Sequence, residues 1–254
     1  MTRLTTCPDA ESVARRAAEH VERALRRSVE QRGAFHLALS GGTTPAGTYQ
    51  LLGASVPDWS GVELWFADER CVPPEDADSN YRLVADTLLA GAGTRAGRSS
   101  PGAAGAELPP ERVHRMPGEL GPGAGARAYA VELRDGVPPG EDGLPVLDLV
   151  LLGIGPDGHI ASLFPGSPAL EAESELLCLG IHDSPKPPAE RITLTLGLLR
   201  AARGCLLLAT GAEKADAVSA MLGDPTPQVP ASLLRREVLS VIVDDAASPP
   251  GPPP

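Results

Sequence analysis

Short, mostly apolar runs closed by glycine or polar turns constrain this chain more than any other feature. Phe35 to Leu39, Val62 to Phe66, Leu147 to Leu152, Cys205 to Ala209 and Val238 to Val243 are too short for helices and do not alternate cleanly between apolar and polar. A strand with one wet face would alternate, so these runs predict strands buried on both faces, as in a mostly parallel sheet covered by helices. Arg191 to Leu194 predicts a further strand.

Helical patterns separate the runs. From Asp9 to Arg32 the residues Val13, Ala17, Val21, Leu25 and Val29 recur every four positions among Arg and Glu, and Gly33 ends the pattern. Pro45 suits the first turn of a helix over Ala46 to Leu52, and further helices are predicted over Asn80 to Leu89, Ala124 to Arg134, Leu196 to Ala202 and Ala212 to Leu222. Strands alternating with helices give an α/β fold class, Rossmann-like, with helices on both faces of the sheet. One α/β domain is expected over 1–247. It carries a flexible Gly/Ala/Ser/Pro-rich insertion at about 91–110 and is followed by a disordered proline-rich tail at 248–254.

Charge narrows the partners. A net charge of −11 opposes nucleic acid and anionic membranes, so a small molecule is the expected partner. An anionic ligand would need a local cluster of cations, and Lys186 and Lys214 are the only lysines. The four cysteines show no CxxC pairing, the amino-terminal segment has no apolar signal core, and no run is long enough to span a membrane; a reducing, cytoplasmic location follows. The five histidines include no HExxH pair and the cysteines no ligand spacing, so a metal site is not expected. Sparse lysine beside abundant Arg, Ala, Gly and Pro fits a GC-rich bacterial genome.

Four segments can carry chemistry. Ser40-Gly41-Gly42-Thr43-Thr44-Pro45 is a glycine turn between a strand and a helix, where backbone N–H groups can meet a phosphate; read blandly it is only a turn, and it matches neither Walker A nor GxGxxG. Asp68-Glu69-Arg70 follows a strand, where Arg70 can fork onto phosphate and either acid can orient it or a sugar hydroxyl. The alternative is a solvated charge cluster with a helix cap at Ser79 or Asn80. Gly153-Ile154-Gly155-Pro156-Asp157-Gly158-His159 sets His159 beside Asp157 at a strand's carboxyl end, as a general base oriented by a carboxylate or as a helix cap. Ser184-Pro185-Lys186-Pro187-Pro188, leading to Arg191, is a stiff loop that either places a lysine or merely crosses the surface.

Together SGGTTP, ADERCVPPEDADSNYR, LLGIGPDGHIASLFPG and SPKPPAERITLT, in this order, closely resemble the 6-phosphogluconolactonases, from about Val13 to Val243. The resemblance implies the fold shared with glucosamine-6-phosphate deaminases, ribose-5-phosphate isomerases and CoA-transferase-like proteins. It also implies hydrolysis of 6-phospho-D-glucono-1,5-lactone to 6-phosphogluconate, in the oxidative pentose phosphate pathway, without a cofactor. His159 would be the base that activates water, with Asp157 supporting it; Arg70 and Lys186 would bind phosphate, with Arg191 in support. Ser40, Gly41, Gly42 and Thr43 would line the same site, and backbone N–H groups of the Gly153 to Gly158 turn would hold the oxyanion. A monomer or small homo-oligomer is expected. Two departures stand out: Ile160 where many members have threonine, expected not to touch the lactone, and the long 91–110 segment. The related deaminases carry an acid in a segment like AFNEPG; Phe164 stands there in this chain and cannot transfer a proton.

Overall fold

In the computed structural model, which describes residues 2–92, 108–172 and 175–249, the apolar runs form one parallel sheet. Its strands are β1 (Arg3–Cys7), β2 (Phe35–Leu39), β3 (Val62–Phe66), β5 (Leu149–Gly153), β8 (Cys205–Ala209) and β9 (Leu239–Asp244), in the spatial order β1-β9-β8-β5-β2-β3. Every pairing is parallel, and every residue of β2 and β8 is buried, which is why these strands lack alternation. A second, antiparallel sheet has the order β4 (Asp68–Arg70), β7 (Arg191–Leu194), β6 (Cys178–Ile181).

The helices are α1 (Ala10–Arg32), α2 (Thr43–Ser55), α3 (Asn80–Val84), α4 (Pro122–Gly136), α5 (Leu196–Ala201) and α6 (Ala215–Leu222). Helix α1 starts where Asp9 accepts a 2.7 Å bond from the Ser12 N–H, and it stops at Gly33, whose φ of 79° turns the chain out of the helix. Its Val13, Ala17 and Val21 face the sheet and are almost wholly buried. Each such valine contributes roughly 1.5–3 kcal/mol by leaving water. Helices α1 and α2 pack on each other and on the sheet, while α4 lies against β6 and β7. The core is filled by Trp65, Tyr49, Tyr129, Phe35 and Phe66.

Several expectations need correction. The β5 run begins at Leu149 rather than Leu147, and the last strand is shifted by one residue, to Leu239–Asp244. The helix expected over Asn80 to Leu89 is α-helical to Val84 and continues as a π turn over Ala85–Leu89; the one expected from Ala212 opens with a 3-10 turn. Strands β1, β4 and β6 were not foreseen. β1 is a sheet edge with an exposed Leu4, and β4 is three charged residues, so neither carries an apolar signal. Residues 93–107 of the expected insertion and 250–254 of the expected tail lie outside the described residues; Leu108, just beyond the former, is buried in the core.

Topology positions the site. Chain order runs from β2 outward to β3 on one side and from β5 outward to β8 and β9 on the other, so β2 and β5 flank the point where the winding reverses. A crevice opens at the carboxyl ends of strands around such a point.

Candidate active site

The loops leaving β2, β5 and β8 converge on one cleft with residues from β4 and β7. Its walls include Ser40, Gly41, Gly42, Thr43, Asp68, Arg70, Gly155, His159, Lys186, Arg191 and Lys214. Every residue that the resemblance assigns to the site meets here, with Asp157 just behind His159; of the two acids in the DER triplet, Asp68 lines the cleft and Glu69 does not.

The β5 turn builds the His159 position. Gly155 donates its N–H to the His159 carbonyl at 2.9 Å, and Gly158 donates to the Gly155 carbonyl at 2.9 Å, so the turn closes on itself. A Cβ on Gly155 would stand 1.9 Å from His159 Nδ1 and 2.4 Å from Asp157 Oδ1, so no side chain fits there. His159 Nδ1 lies 2.5 Å from Asp157 Oδ1, which makes Nδ1 the protonated nitrogen and leaves the Nε2 lone pair free of protein partners among the described residues. The ring packs on Phe164, centroids 4.7 Å apart. Burial holds the imidazole below its ordinary value, aided by the Lys186 ammonium and opposed by Asp157. Burial alone would raise the Asp157 carboxyl, but its bond to His159 and the nearby Lys186 outweigh that and hold it low. Ile160 is fully buried in the core and does not line the cleft.

The β2 turn presents the start of α2. Gly42 is the residue before the first turn, with a φ of 107° and no capping side chain, so the first N–H groups of a thirteen-residue helix face the cleft uncapped. Gly41 is required for a different reason: a Cβ there would fall 1.9 Å from Asn80 Oδ1. Asn80 in turn donates to the Asp68 carbonyl at 2.9 Å and to Asp68 Oδ1 at 3.0 Å, which ties the start of α3 to β4 beside the β2 turn.

The DER triplet divides its labour. Glu69 is buried and does not reach the cleft; it accepts the N–H groups of Arg70, Asn80 and Tyr81 at 2.7–2.8 Å and the Ser79 hydroxyl at 3.0 Å, while Ser79 caps α3. Burial pushes its carboxyl up against the pull of those bonds. The cap expected at Ser79 is therefore present, but the acids beside it are buried, not solvated. Asp68 lines the cleft and accepts the Ser162 hydroxyl at 2.7 Å. Arg70 donates to the Asp78 carbonyl at 2.6 Å, and its Nε is buried without an acceptor among the described residues.

Arg191 stands directly opposite Arg70 across the β4–β7 pair. Like charges at facing positions repel, and Arg70 helps burial to lower the Arg191 guanidinium. Arg191 is only 4% exposed and donates to the carbonyls of Pro188 (3.0 Å), Lys186 (3.0 Å) and Pro187 (3.1 Å), so it fixes the backbone of the lysine loop. Lys186 reaches back to Asp157 Oδ1 at 3.3 Å. Lys214, which sequence reading passed over, enters the cleft from the turn after β8, with burial lowering its ammonium. Its position after a strand's carboxyl end was the signal. Asp68 was singled out with its triplet and Asn80 as a possible cap, but their bonds to each other and to Ser162 left no sign, because the partners are distant in sequence.

Four cations and an uncapped helix start therefore surround a neutral, oriented imidazole in a protein of net charge −11. Such a site can hold a phosphate and take a proton from water or a hydroxyl. Among the described residues no three His, Cys, Asp or Glu side chains converge as metal ligands.

A family model described as glucosamine-6-phosphate isomerases/6-phosphogluconolactonase matches residues 8–243. A 6-phosphogluconolactonase of Streptomyces coelicolor is 38% identical over 251 residues, covering 94% of this chain and 90% of the relative. One of Homo sapiens is 37% identical over 228 residues, covering 85% and 81%. The solved 6-phosphogluconolactonase from Trypanosoma cruzi superposes with a TM-score of 0.81 at 26% identity, over 97% of this chain and 96% of that one. A monomeric glucosamine-6-phosphate deaminase, at 20% identity and a TM-score of 0.73, shares the fold. The chain belongs to the glucosamine-6-phosphate isomerase/6-phosphogluconolactonase family.

Proposed function

We propose that this protein hydrolyses 6-phospho-D-glucono-1,5-lactone to 6-phosphogluconate, in the oxidative pentose phosphate pathway. The observation that carries the reading is His159, with Nδ1 held by Asp157 and Nε2 free, beside a ring of cations. Arg70, Lys186 and Lys214, with the N–H groups at the start of α2, hold the phosphate; Arg191 supports them by fixing the Lys186 loop. Ser40 to Thr43 form the floor.

In this reading His159 Nε2 takes a proton from water, and the hydroxide attacks C1 of the lactone. The bond to the ring oxygen then breaks, and the imidazolium returns its proton to that oxygen. Asp157 stabilises the imidazolium while it exists. The oxyanion needs a donor. In the β5 turn the N–H groups of Gly153, Gly155 and Gly158 are already spent on Ser40 Oγ and the carbonyls of His159 and Gly155. Pro156 has none, and Asp157 bonds to its own carboxylate. The β5–β8 register points the Ile154 N–H at the Leu208 carbonyl, so among the described residues the turn has no spare N–H, and the donor falls to the cations of the cleft.

The reading carries no cofactor, a cytoplasmic location, a small-molecule partner only, and one domain over 1–247 acting as a monomer or small homo-oligomer. Among the described residues no helix is long and apolar enough to cross a membrane. The test is product analysis: the purified protein should convert the phosphorylated lactone to 6-phosphogluconate and release no ammonia from glucosamine 6-phosphate. Ammonia release in place of lactone opening would replace the reading with a deaminase.

A further inference from the structure

We propose that Lys186 works in two positions, resting on Asp157 while the site is empty and passing to the phosphate when substrate enters, so that His159 is a stronger base in the loaded enzyme than in the empty one. The inference rests on the reading of His159 as base and Lys186 as phosphate ligand, and adds the exchange between them.

The geometry of the empty site points to it. Asp157 Oδ1 is shared: His159 Nδ1 lies 2.5 Å from it and Lys186 Nζ 3.3 Å from it. The same ammonium stands 3.3 Å from His159 Nδ1. A cation so placed takes part of the carboxylate's charge and opposes protonation of the ring. The ion pair is held loosely, because both side chains are about a third exposed, at 39% and 34%. The backbone beneath it is not loose. Arg191 donates to the Lys186 carbonyl, and Ser184 Oγ both donates to that carbonyl at 2.9 Å and accepts the Lys186 N–H at 3.3 Å. A fixed Cα with a flexible four-carbon stem lets the ammonium swing without moving the loop.

A dianionic phosphate offers Nζ a stronger partner than half of a shared carboxylate. Once Lys186 leaves, Asp157 faces His159 alone. The other charged groups around the ring come from other elements: Asp68 and Arg70 of β4, Arg191 of β7, and Lys214 from the turn before α6. Arg191 and Asp68 are tied by hydrogen bonds to the surrounding chain, so Lys186 is the cation in direct contact with the ring that is free to move.

The chain's composition makes the exchange measurable. With two lysines and five histidines, isotope labelling gives spectra in which Lys186 and His159 can be followed individually. The probe is inorganic phosphate, at concentrations that saturate each protein. In the wild type, phosphate should move the Lys186 ammonium signal and raise the midpoint of the His159 titration with the same binding curve. In Lys186→Met, the free protein's His159 midpoint should already lie above that of the wild type. A Lys186 signal that stays put at saturating phosphate, or a His159 midpoint unchanged in Lys186→Met, would overturn the exchange. Failure of the lactonase reading would show separately, as turnover that is absent or indifferent to His159.

Discussion

His159 Nδ1 and Asp157 Oδ1 stand 2.5 Å apart, and this contact decides which imidazole nitrogen faces the cleft. With Nδ1–H committed to the carboxylate, only Nε2 can accept a proton. Asp157→Asn would keep the shape but offers an N–H in place of an acceptor, favouring the wrong tautomer. Turnover should fall by about 10²-fold or more, while inorganic phosphate should bind at least as tightly as in the wild type, because Lys186 loses its resting partner. Steady-state kinetics with phosphate as competitive inhibitor checks both halves.

The pH dependence follows from burial. Because burial holds His159 below the ordinary imidazole value, kcat/KM should rise with pH through a midpoint below that value and be flat through neutrality. The profile, corrected for spontaneous lactone opening, checks this; a midpoint above the ordinary value would contradict it.

Gly155 has no room for a methyl group. Gly155→Ala should displace His159 or Asp157 and cost at least about a hundredfold in kcat, since misplacing a reacting group by an ångström has that effect. Circular dichroism should be unchanged, because the turn lies beyond the carboxyl end of β5, outside the sheet's hydrogen-bonded ladder.

Arg191→Lys keeps the charge but cannot serve three carbonyls in the fork geometry of a guanidinium. Stability should drop by roughly 1–3 kcal/mol, as buried carbonyls lose their donor. KM should rise more than kcat falls, since the lysine loop is loosened. Denaturant unfolding and steady-state kinetics together test this.

A second histidine should set how stability responds to pH. His114 meets Glu132 at 2.7 Å through Nδ1 and Glu63 at 3.0 Å through Nε2, and it stacks on Trp65 at 3.8 Å. Two carboxylates on two ring nitrogens require the imidazolium. Burial alone would lower its value, but the bonds to Glu132 and Glu63 outweigh it and raise the value above the ordinary one. The folded state thus holds this proton more tightly than the unfolded chain. The contribution is complete below the unfolded value near 6.5 and is lost as pH rises through the folded one. Denaturation midpoints should fall with pH across that window in the wild type and flatten in His114→Gln.

The architecture was readable because buried parallel strands announce themselves as unbroken apolar runs; β2, β3 and β8 fall where their sequences place them. Strand β4 was not readable, since Asp68, Glu69 and Arg70 form a strand only through pairing with β7, over a hundred residues away. The same limit applies to the site. Asp157 and His159 are neighbours in sequence and could be read together, as could Lys186 and Arg191, whereas Ser162 reaching Asp68 joins residues far apart in the chain. Lys214 was legible by position alone, as one of two lysines at the carboxyl end of a strand.

The central claim is that His159 activates water against a phosphorylated lactone. The direct measurement is acid release from freshly generated 6-phosphogluconolactone at constant pH, with a chelator present, comparing intact protein with His159→Ala. The account predicts hydrolysis well above the spontaneous rate, reduced by about 10²- to 10⁴-fold in the variant while phosphate binding persists. Folded wild-type protein that leaves the spontaneous rate unchanged, or a variant as active as the wild type, would contradict it.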